Sequence, residues 1–330
     1  MNLTTKYLGL DLKSPLMPGA SPLVNRLENI RRLEDAGASA IVLHSLFAEQ
    51  IEGNSVAVSR HIERWQDNFA EATSFFPQGQ DYLLGPDEYL GRIAAIKSAT
   101  SLPVIASLNG THLGSWTDYA RLMEKAGADA LELNTYFLAT RRDETSAEVE
   151  ARVLDIARAV RASVRIPIAV KLSPFFTSVV HLTGQLEDAG INGVVLFNRI
   201  FQPEIDIETF DVVPKLGLSS PEDLRLRLRA LALLRDQVKL SLGCSGGVHS
   251  AAEVVKALLA GADAIQVVAA LLRDGPDTLG IILTELKLWM EKFEYVSVAE
   301  MRGALSLRNC PDPEAYERGN YLRSLQLWRE

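Results

Sequence analysis

Lys171 is the residue of this sequence whose surroundings most require a chemical reason. It follows the aliphatic run Ile168-Ala169-Val170 and precedes Leu172, so it stands where a buried strand ends. A lysine is almost never fully buried without a partner, and an isolated ammonium in an apolar interior is costly. Three roles fit it: a salt bridge reaching the surface, a fixed cation beside an anionic cofactor ring, or an amine nucleophile that forms a Schiff base. Farther along, Gly246-Gly247 precedes a helix predicted over 250–260. Unobstructed backbone N–H groups and the positive end of a helix dipole together make a phosphate site. Ala269-Ala270 adds small side chains that let the backbone approach such a phosphate. Cys244, beside the glycines, is expected to be a small buried hydrophobe. His61, His181 and His249 have no metal-ligand spacing and are expected on helix faces or at caps.

These residues need a scaffold that brings distant strand ends to one place. Four stretches share one pattern: EDAGASAIVL (34–43), EKAGADALEL (124–133), EDAGINGVVL (187–196) and LLAGADAIQV (258–267). Each closes an amphipathic helix, turns at a glycine and enters an apolar run. Successive aliphatic residues are expected of strands covered on both faces of a parallel sheet. SPLMPGAS (14–21), SLPVIASL (101–108), RIPIAVKL (165–172) and VKLSLGCSGG (238–247) complete a set of eight strands. Helices predicted over 116–126, 147–164, 221–236 and 251–260 give the α/β pattern. Eight strands without an early GxGxxG favour a closed (β/α)8 TIM barrel over a doubly wound open sheet.

The expected organisation is a single barrel over residues 1–310, opened by an N-terminal hairpin, and a C-terminal tail over 311–330. Residues 50–89, with Gly85-Pro86 as a breaker, and residues 197–220 interrupt the rhythm after strand C-terminal ends. Barrel enzymes place lids and substrate loops there, though either stretch alone reads equally well as loop decoration. In chain order the strand ends are Ala20-Ser21, His44-Ser45, Asn109-Gly110, Asn134-Thr135, Lys171, Asn198-Arg199, Ser245-Gly246-Gly247 and Ala269-Ala270. All but the last carry a polar group or a glycine, and a barrel converges them on one pocket.

Composition narrows the function classes. The chain of 330 residues is 47% hydrophobic and 23% charged, enough to bury one large core. Its net charge is −8 with Lys and Arg scattered, which offers no face for nucleic acid. No apolar run reaches the roughly 20 residues of a membrane helix. The start MNLTTKYLGLDLK lacks the order of a signal peptide. A cytoplasmic protein acting on a small molecule is expected, with a homodimer among the assemblies the sequence allows. Cys244 and Cys310 form neither a disulfide framework nor an iron–sulfur relay, and no metal site is expected.

At the strand ends the sequence resembles the dihydroorotate dehydrogenases, particularly the soluble class that carries FMN. The likeness runs from about Tyr7 to about Ser306. Its carriers are YLGLDLKSPLMPGAS, LELN (131–134), VKLSPFF (170–176), GLSS (217–220), and CSGGV followed by LLAGADAIQVVAALLRDGP. The resemblance implies FMN in the barrel mouth, with Lys171 at the pyrimidine edge of the flavin. It implies that Asn134 and Asn198 hydrogen-bond flavin or substrate, and that Ala20, Ser21 and Ser45 line the ring. Gly217, Gly246, Gly247, Ala269 and Ala270 would hold the phosphate through backbone amides.

The substrate half departs from the family's pattern. Phe137 stands at the position of the family's Cys or Ser base, and phenylalanine cannot remove a proton. His44 stands for an expected lysine, Ala72 for an asparagine and Arg199 for a serine. Tyr136 or Thr135 is then the candidate base, with His44, Asn134, Asn198 and Arg199 facing substrate. The resulting expectation is an FMN-dependent oxidoreductase resembling dihydroorotate dehydrogenase (dihydroorotate to orotate, in pyrimidine biosynthesis) with a divergent substrate side. The alternatives are a Schiff-base lyase or aldolase using Lys171, and a barrel that binds flavin or a metabolite without turnover.

Overall fold

A computed structural model describes residues 1–47, 86–109, 113–135, 138–199, 202–215, 217–317 and 325–326. Eight strands form one parallel sheet: β3 (Leu16–Pro18), β4 (Ile41–Phe47), β5 (Val104–Asn109), β6 (Ala130–Asn134), β7 (Ile168–Leu172), β8 (Gly193–Leu196), β11 (Ser241–Ser245) and β12 (Ala264–Val267). The ladder runs β3-β12-β11-β8-β7-β6-β5-β4. At the seam the Ser39 N–H donates to the Leu16 carbonyl at 3.1 Å, drawing the ring towards closure. This is the expected (β/α)8 barrel. An antiparallel hairpin of β1 (Thr5–Tyr7) and β2 (Leu10–Leu12) precedes it, as expected.

The recurring half-unit explains how the barrel's lower rim is fastened. Its glycine takes a positive φ, as at Gly127 (+100°) and Gly261 (+127°), where a side chain would be strained. Three residues before the glycine, a glutamate reaches forward to the segment entering the next strand. Glu34 accepts from the Ser101 N–H at 2.8 Å, Glu124 from Arg165 at 2.8 Å and Glu187 from Lys239 at 3.0 Å. Two residues after it, a polar side chain reaches back. Asp129 accepts from Val104 N–H at 2.7 Å, Asn192 from Ile168 at 3.0 Å and Asp263 from Leu242 at 2.8 Å. Backbone donors without an adjacent strand thereby find partners, as buried N–H groups must.

Inside, Met17, Val42, Ile105, Ala130, Ala169, Val195 and Ala264 meet Tyr7, Leu8 and Leu12 of the hairpin. Side chains at alternate positions point inward, so the seven strand residues form an apolar layer and the hairpin plugs it from below. The alternating residues, such as Leu131, Leu133, Val170 and Leu172, pack outward with the helices. Two positions farther along four of these strands the inward residues become polar: Ser107, Glu132, Lys171 and Gln266.

The helices follow the sequence with small shifts. α1 is Leu27–Asp35, α2 Pro86–Ala99, α3 Leu113–Lys125, α4 Ser146–Ser163, α5 Val179–Asp188, α6 Leu224–Leu234 and α7 Ala251–Ala260. Pro86, expected as a breaker, opens α2, since proline has no N–H for the first turn to miss. The helix expected over 221–236 begins instead as a 3-10 turn at Pro221–Asp223. The excursion over 197–220 contains an antiparallel hairpin, β9 (Gln202–Asp206) with β10 (Asp211–Lys215). After β12 come α8 (Ala269–Asp274), α9 (Thr278–Lys292), α10 (Val298–Met301) and α11 (Glu314–Glu317). No helix among the described residues is long and apolar enough to cross a membrane.

Candidate active site

The polar layer above the apolar floor holds a buried ionic cluster. Lys171 Nζ lies 3.0 Å from Glu132 Oε1 and donates to Gln266 Oε1 at 3.1 Å. Gln266 Nε2 donates in turn to Glu132 Oε2. Relative exposures are 7% for Lys171 and 1% each for Glu132 and Gln266. A charge-assisted hydrogen bond is about twice as strong as a neutral one, and a carboxamide that satisfies both partners removes the remaining desolvation cost. Lys171 was therefore legible as an anomaly, whereas Glu132 and Gln266 were missed. Their signal was parity: each sits in a short aliphatic strand at the inward position.

Above this cluster runs a chain of amides and hydroxyls. Asn198 Nδ2 donates to Asn134 Oδ1, Asn134 Nδ2 to Ser45 Oγ at 3.4 Å, and Ser45 and Ser107 share a hydrogen bond of 2.8 Å. Three expected residues are thus joined, and Ser107 is added. Thr135 is buried and its hydroxyl donates to the Lys171 carbonyl at 3.4 Å, so it is turned towards the backbone. Ala20 is half-buried, and Ser21 is buried at the start of the 3-10 turn Pro22–Asn25.

A bulge in β4 decides which residue enters the barrel. Register shifts between Val42 and Ser45 relative to β5. Val42 belongs to the interior layer, Leu43 and Leu46 pack outward, and Ser45 meets Ser107, which leaves His44 as the extra residue. Tyr89 of α2 fills the interruption: its hydroxyl accepts from the Ser107 N–H at 3.0 Å and donates to the Ser107 carbonyl at 3.1 Å. His44 meets the Tyr89 ring edge-on at 5.3 Å, and among the described residues neither of its nitrogens has a hydrogen-bond partner. Burial, and secondarily Arg92, lower its pKa to about 4. It is a neutral imidazole where the family resemblance implies a lysine.

The glycines after β11 meet the segment before α6. Gly246 and Gly247 have φ of +94° and +78°, and a Cβ on Gly247 would lie 2.5 Å from the Leu224 nitrogen. The Gly247 N–H donates to Ser219 Oγ at 3.0 Å, and His249 Nε2 lies 2.6 Å from the Ser219 carbonyl oxygen. His249 therefore tethers this segment. Gly217 is exposed, and its carbonyl accepts from Arg199, whose guanidinium also lies 3.6 Å from Asp223. Arg227, also missed, is buried here: Nε donates to the Ser245 carbonyl at 3.0 Å and Nη1 to the Asp223 carbonyl at 2.7 Å. Its signal was helical spacing, since Leu224, Arg227 and Leu231 share one face. Ala269 and Ala270 are buried at the start of α8, and Cys244 is a buried thiol pushed up to about 12 by burial. Ala72, Tyr136, Phe137 and His61 lie outside the described residues.

Residues 2–290 match the model of a family described as Dihydroorotate dehydrogenase. The chain is 26% identical over 309 residues to the dihydroorotate dehydrogenase B (NAD(+)) catalytic subunit of Anoxybacillus flavithermus, covering 91% of this chain and 95% of that one. It is 26% identical over 317 residues to dihydroorotate dehydrogenase A (fumarate) of Lactobacillus helveticus, covering 92% and 98%. Another relative, dihydroorotate dehydrogenase A (fumarate) of Limosilactobacillus reuteri, is 31% identical over 208 residues, 60% of this chain and 66% of that one.

Two measurements test this geometry. Lys171→Met strands the Glu132 carboxylate and is expected to cost about 3–5 kcal/mol in urea unfolding, most of it recovered when Glu132→Leu is added. An unchanged single variant would show that the ion pair has no structural weight. His44 gives a pH signature. The unfolded chain binds a proton near pH 6.5 and the folded one near 4, so its contribution is full above 6.5 and lost as pH falls towards 4. The slope approaches about 1.4 kcal/mol per pH unit. His44→Phe should flatten stability between pH 6.5 and 4.5 relative to the parent; parallel curves would refute the assignment.

Proposed function

Because the chain belongs to the dihydroorotate dehydrogenase family, we propose that it is an FMN-dependent oxidoreductase acting on a CH–CH bond, with its flavin in the barrel mouth. The observation that carries this reading is the buried ammonium of Lys171, held between Glu132 and Gln266. A fixed cation there stabilises negative charge that develops at the pyrimidine edge of a reduced flavin. FMN, when bound, supplies the two-electron acceptor for the substrate's hydrogens.

The chain's own residues support the fit. Gly246 and Gly247 leave open a cradle that a Cβ would crowd, against Arg227 in one case and the backbone of Leu224 in the other. The Asn198–Asn134–Ser45 chain supplies polar groups that orient a ring and its substrate. Ala20 and Ser21 follow the end of β3, between β12 and β4, where they would line the ring, and Ala269 and Ala270 would complete the phosphate side. A lysine whose amine donates to a carboxylate offers no free lone pair to a carbonyl, which disfavours the Schiff-base alternative.

The substrate side is the divergent half. His44 is neutral, Arg199 is engaged by Gly217 and Asp223, and Thr135 donates to a backbone carbonyl. Tyr136 is the remaining candidate for proton removal. Dihydroorotate is the reference substrate. The protein acts on a small molecule in the cytoplasm, as a single chain or a homodimer.

Denaturing the purified yellow protein should release FMN rather than FAD; colourless protein that takes up no FMN would overturn the reading. Anaerobic mixing of the oxidised flavoprotein with dihydroorotate should bleach the flavin slowly, because losing a general base removes about 100- to 10,000-fold. Rapid bleaching with orotate formed would show that an efficient base remains, and Tyr136→Phe and Thr135→Val would identify it.

A further inference from the structure

Arg227 is a buried cation whose partners do not account for its charge. It is 6% exposed. Two of its nitrogens bond to backbone carbonyls, those of Ser245 and Asp223, and among the described residues Nη2 has no hydrogen-bond partner. Among the described residues no carboxylate lies within ion-pair distance of it. The Asp223 carboxylate is turned elsewhere, accepting from the Ser220 N–H at 2.7 Å and lying 3.6 Å from Arg199. The Phe197 ring, 6.0 Å from the guanidinium carbon, compensates only in part. Burial is the leading cause that lowers its pKa. Charged side chains are almost never buried unless paired.

The place where Nη2 ends is informative. A Cβ on Gly246 would stand 3.1 Å from it, so the unbonded end of the guanidinium lies directly against the glycine loop that follows β11. Its other two donors tie the end of β11 to the segment before α6. These are the two pieces of chain that meet where the Gly247 N–H donates to Ser219 Oγ and Gly247 packs against Leu224. An anion at that junction would meet a fixed, desolvated guanidinium, whose planar fork suits phosphate.

We propose that Arg227 makes this mouth select a phosphomonoester, so that it takes the phosphorylated flavin in preference to the unphosphorylated one. The proposal rests on the flavin reading above. A guanidinium serving only as a clamp between Ser245 and Asp223 would help both flavins equally, because they share the same ring. A guanidinium serving as the counter-charge would help FMN alone.

The test is fluorescence titration of the flavin-stripped protein with FMN and, separately, with riboflavin. The parent should bind FMN more tightly than riboflavin. Arg227→Gln keeps a donor for a carbonyl but removes the charge. It should lower the FMN-to-riboflavin affinity ratio by roughly 10- to 100-fold, the value of a charged hydrogen bond, with riboflavin affinity nearly unchanged. Arg227→Lys loses the fork but keeps the charge and should retain most of the ratio. Equal losses for both flavins in both variants, or an unchanged ratio in Arg227→Gln, would overturn the proposal and leave a clamp. If Arg227→Gln does not fold, the lysine variant decides, since a clamp predicts that it weakens both flavins alike. A parent that binds riboflavin as well as FMN refutes the role of Arg227 but not the flavin site. A parent that binds neither flavin overturns both.

Discussion

An ammonium and a carboxylate share the interior of this barrel, and much of the structure follows from keeping them there. Neither Lys171 nor Glu132 could be buried alone. Together, with the Gln266 amide accepting from one and donating to the other, they form a closed set. That set requires β6, β7 and β12 to present inward positions at matching heights. It also requires a dry layer beneath, since water reaching the cluster from below would replace its hydrogen bonds. The N-terminal hairpin supplies that seal: Tyr7 and Leu8 are 1% exposed and pack against the small residues Ala130, Ala169 and Ala264. The strands that carry the charges thus carry alanines one step below, making room for the plug.

Stability and chemistry are placed at opposite ends. The lower rim is tied by the glutamates and the Asp or Asn residues of the repeated half-unit, each bonding backbone of a neighbouring strand. Asp263 is held further by Arg235 at 2.9 Å and Arg302 at 2.8 Å. With that end fixed, the upper rim tolerates irregularity. The β4 bulge exposes backbone groups of Ser107, and one tyrosine hydroxyl satisfies both of them. Barrel enzymes vary their mouth loops on a constant base, and the polar ties of the half-unit are the local means here.

The repeated unit made the fold legible, because its glycine, its aliphatic run and its helical approach each require a local conformation. Lys171 was legible for the opposite reason, as a residue that its strand could not explain alone. Glu132 and Gln266 were hidden because recognising them needs the register of three strands far apart in sequence. Ser107 was hidden likewise. Arg227 lay within the alternation Leu224-Arg225-Leu226-Arg227-Leu228-Arg229, which resembles a solvated face until helical periodicity separates the buried arginine from its exposed neighbours. The hairpin over 202–215 escaped notice because Pro203 and Pro214 argue against strands. They face one another across its two-stranded ladder, and a two-stranded ribbon has only edge strands, where proline is tolerated.

The distribution of departures from the family's pattern has a physical basis. Residues proposed for the cofactor side sit on strands or against backbone, where a change propagates: a Cβ on Gly247 would collide with Leu224, and loss of Lys171 would leave Glu132 without its cation. His44 and Arg199 occupy positions whose support is independent of that cluster. His44 is the extra residue of a bulge whose backbone is satisfied by Tyr89, and among the described residues no hydrogen bond depends on its ring. Arg199 is anchored by Gly217 and Asp223, on a separate segment. Changes at such sites leave the ionic cluster intact. Substrate preference can therefore move while the Lys171 cation and its Glu132 and Gln266 partners stay fixed.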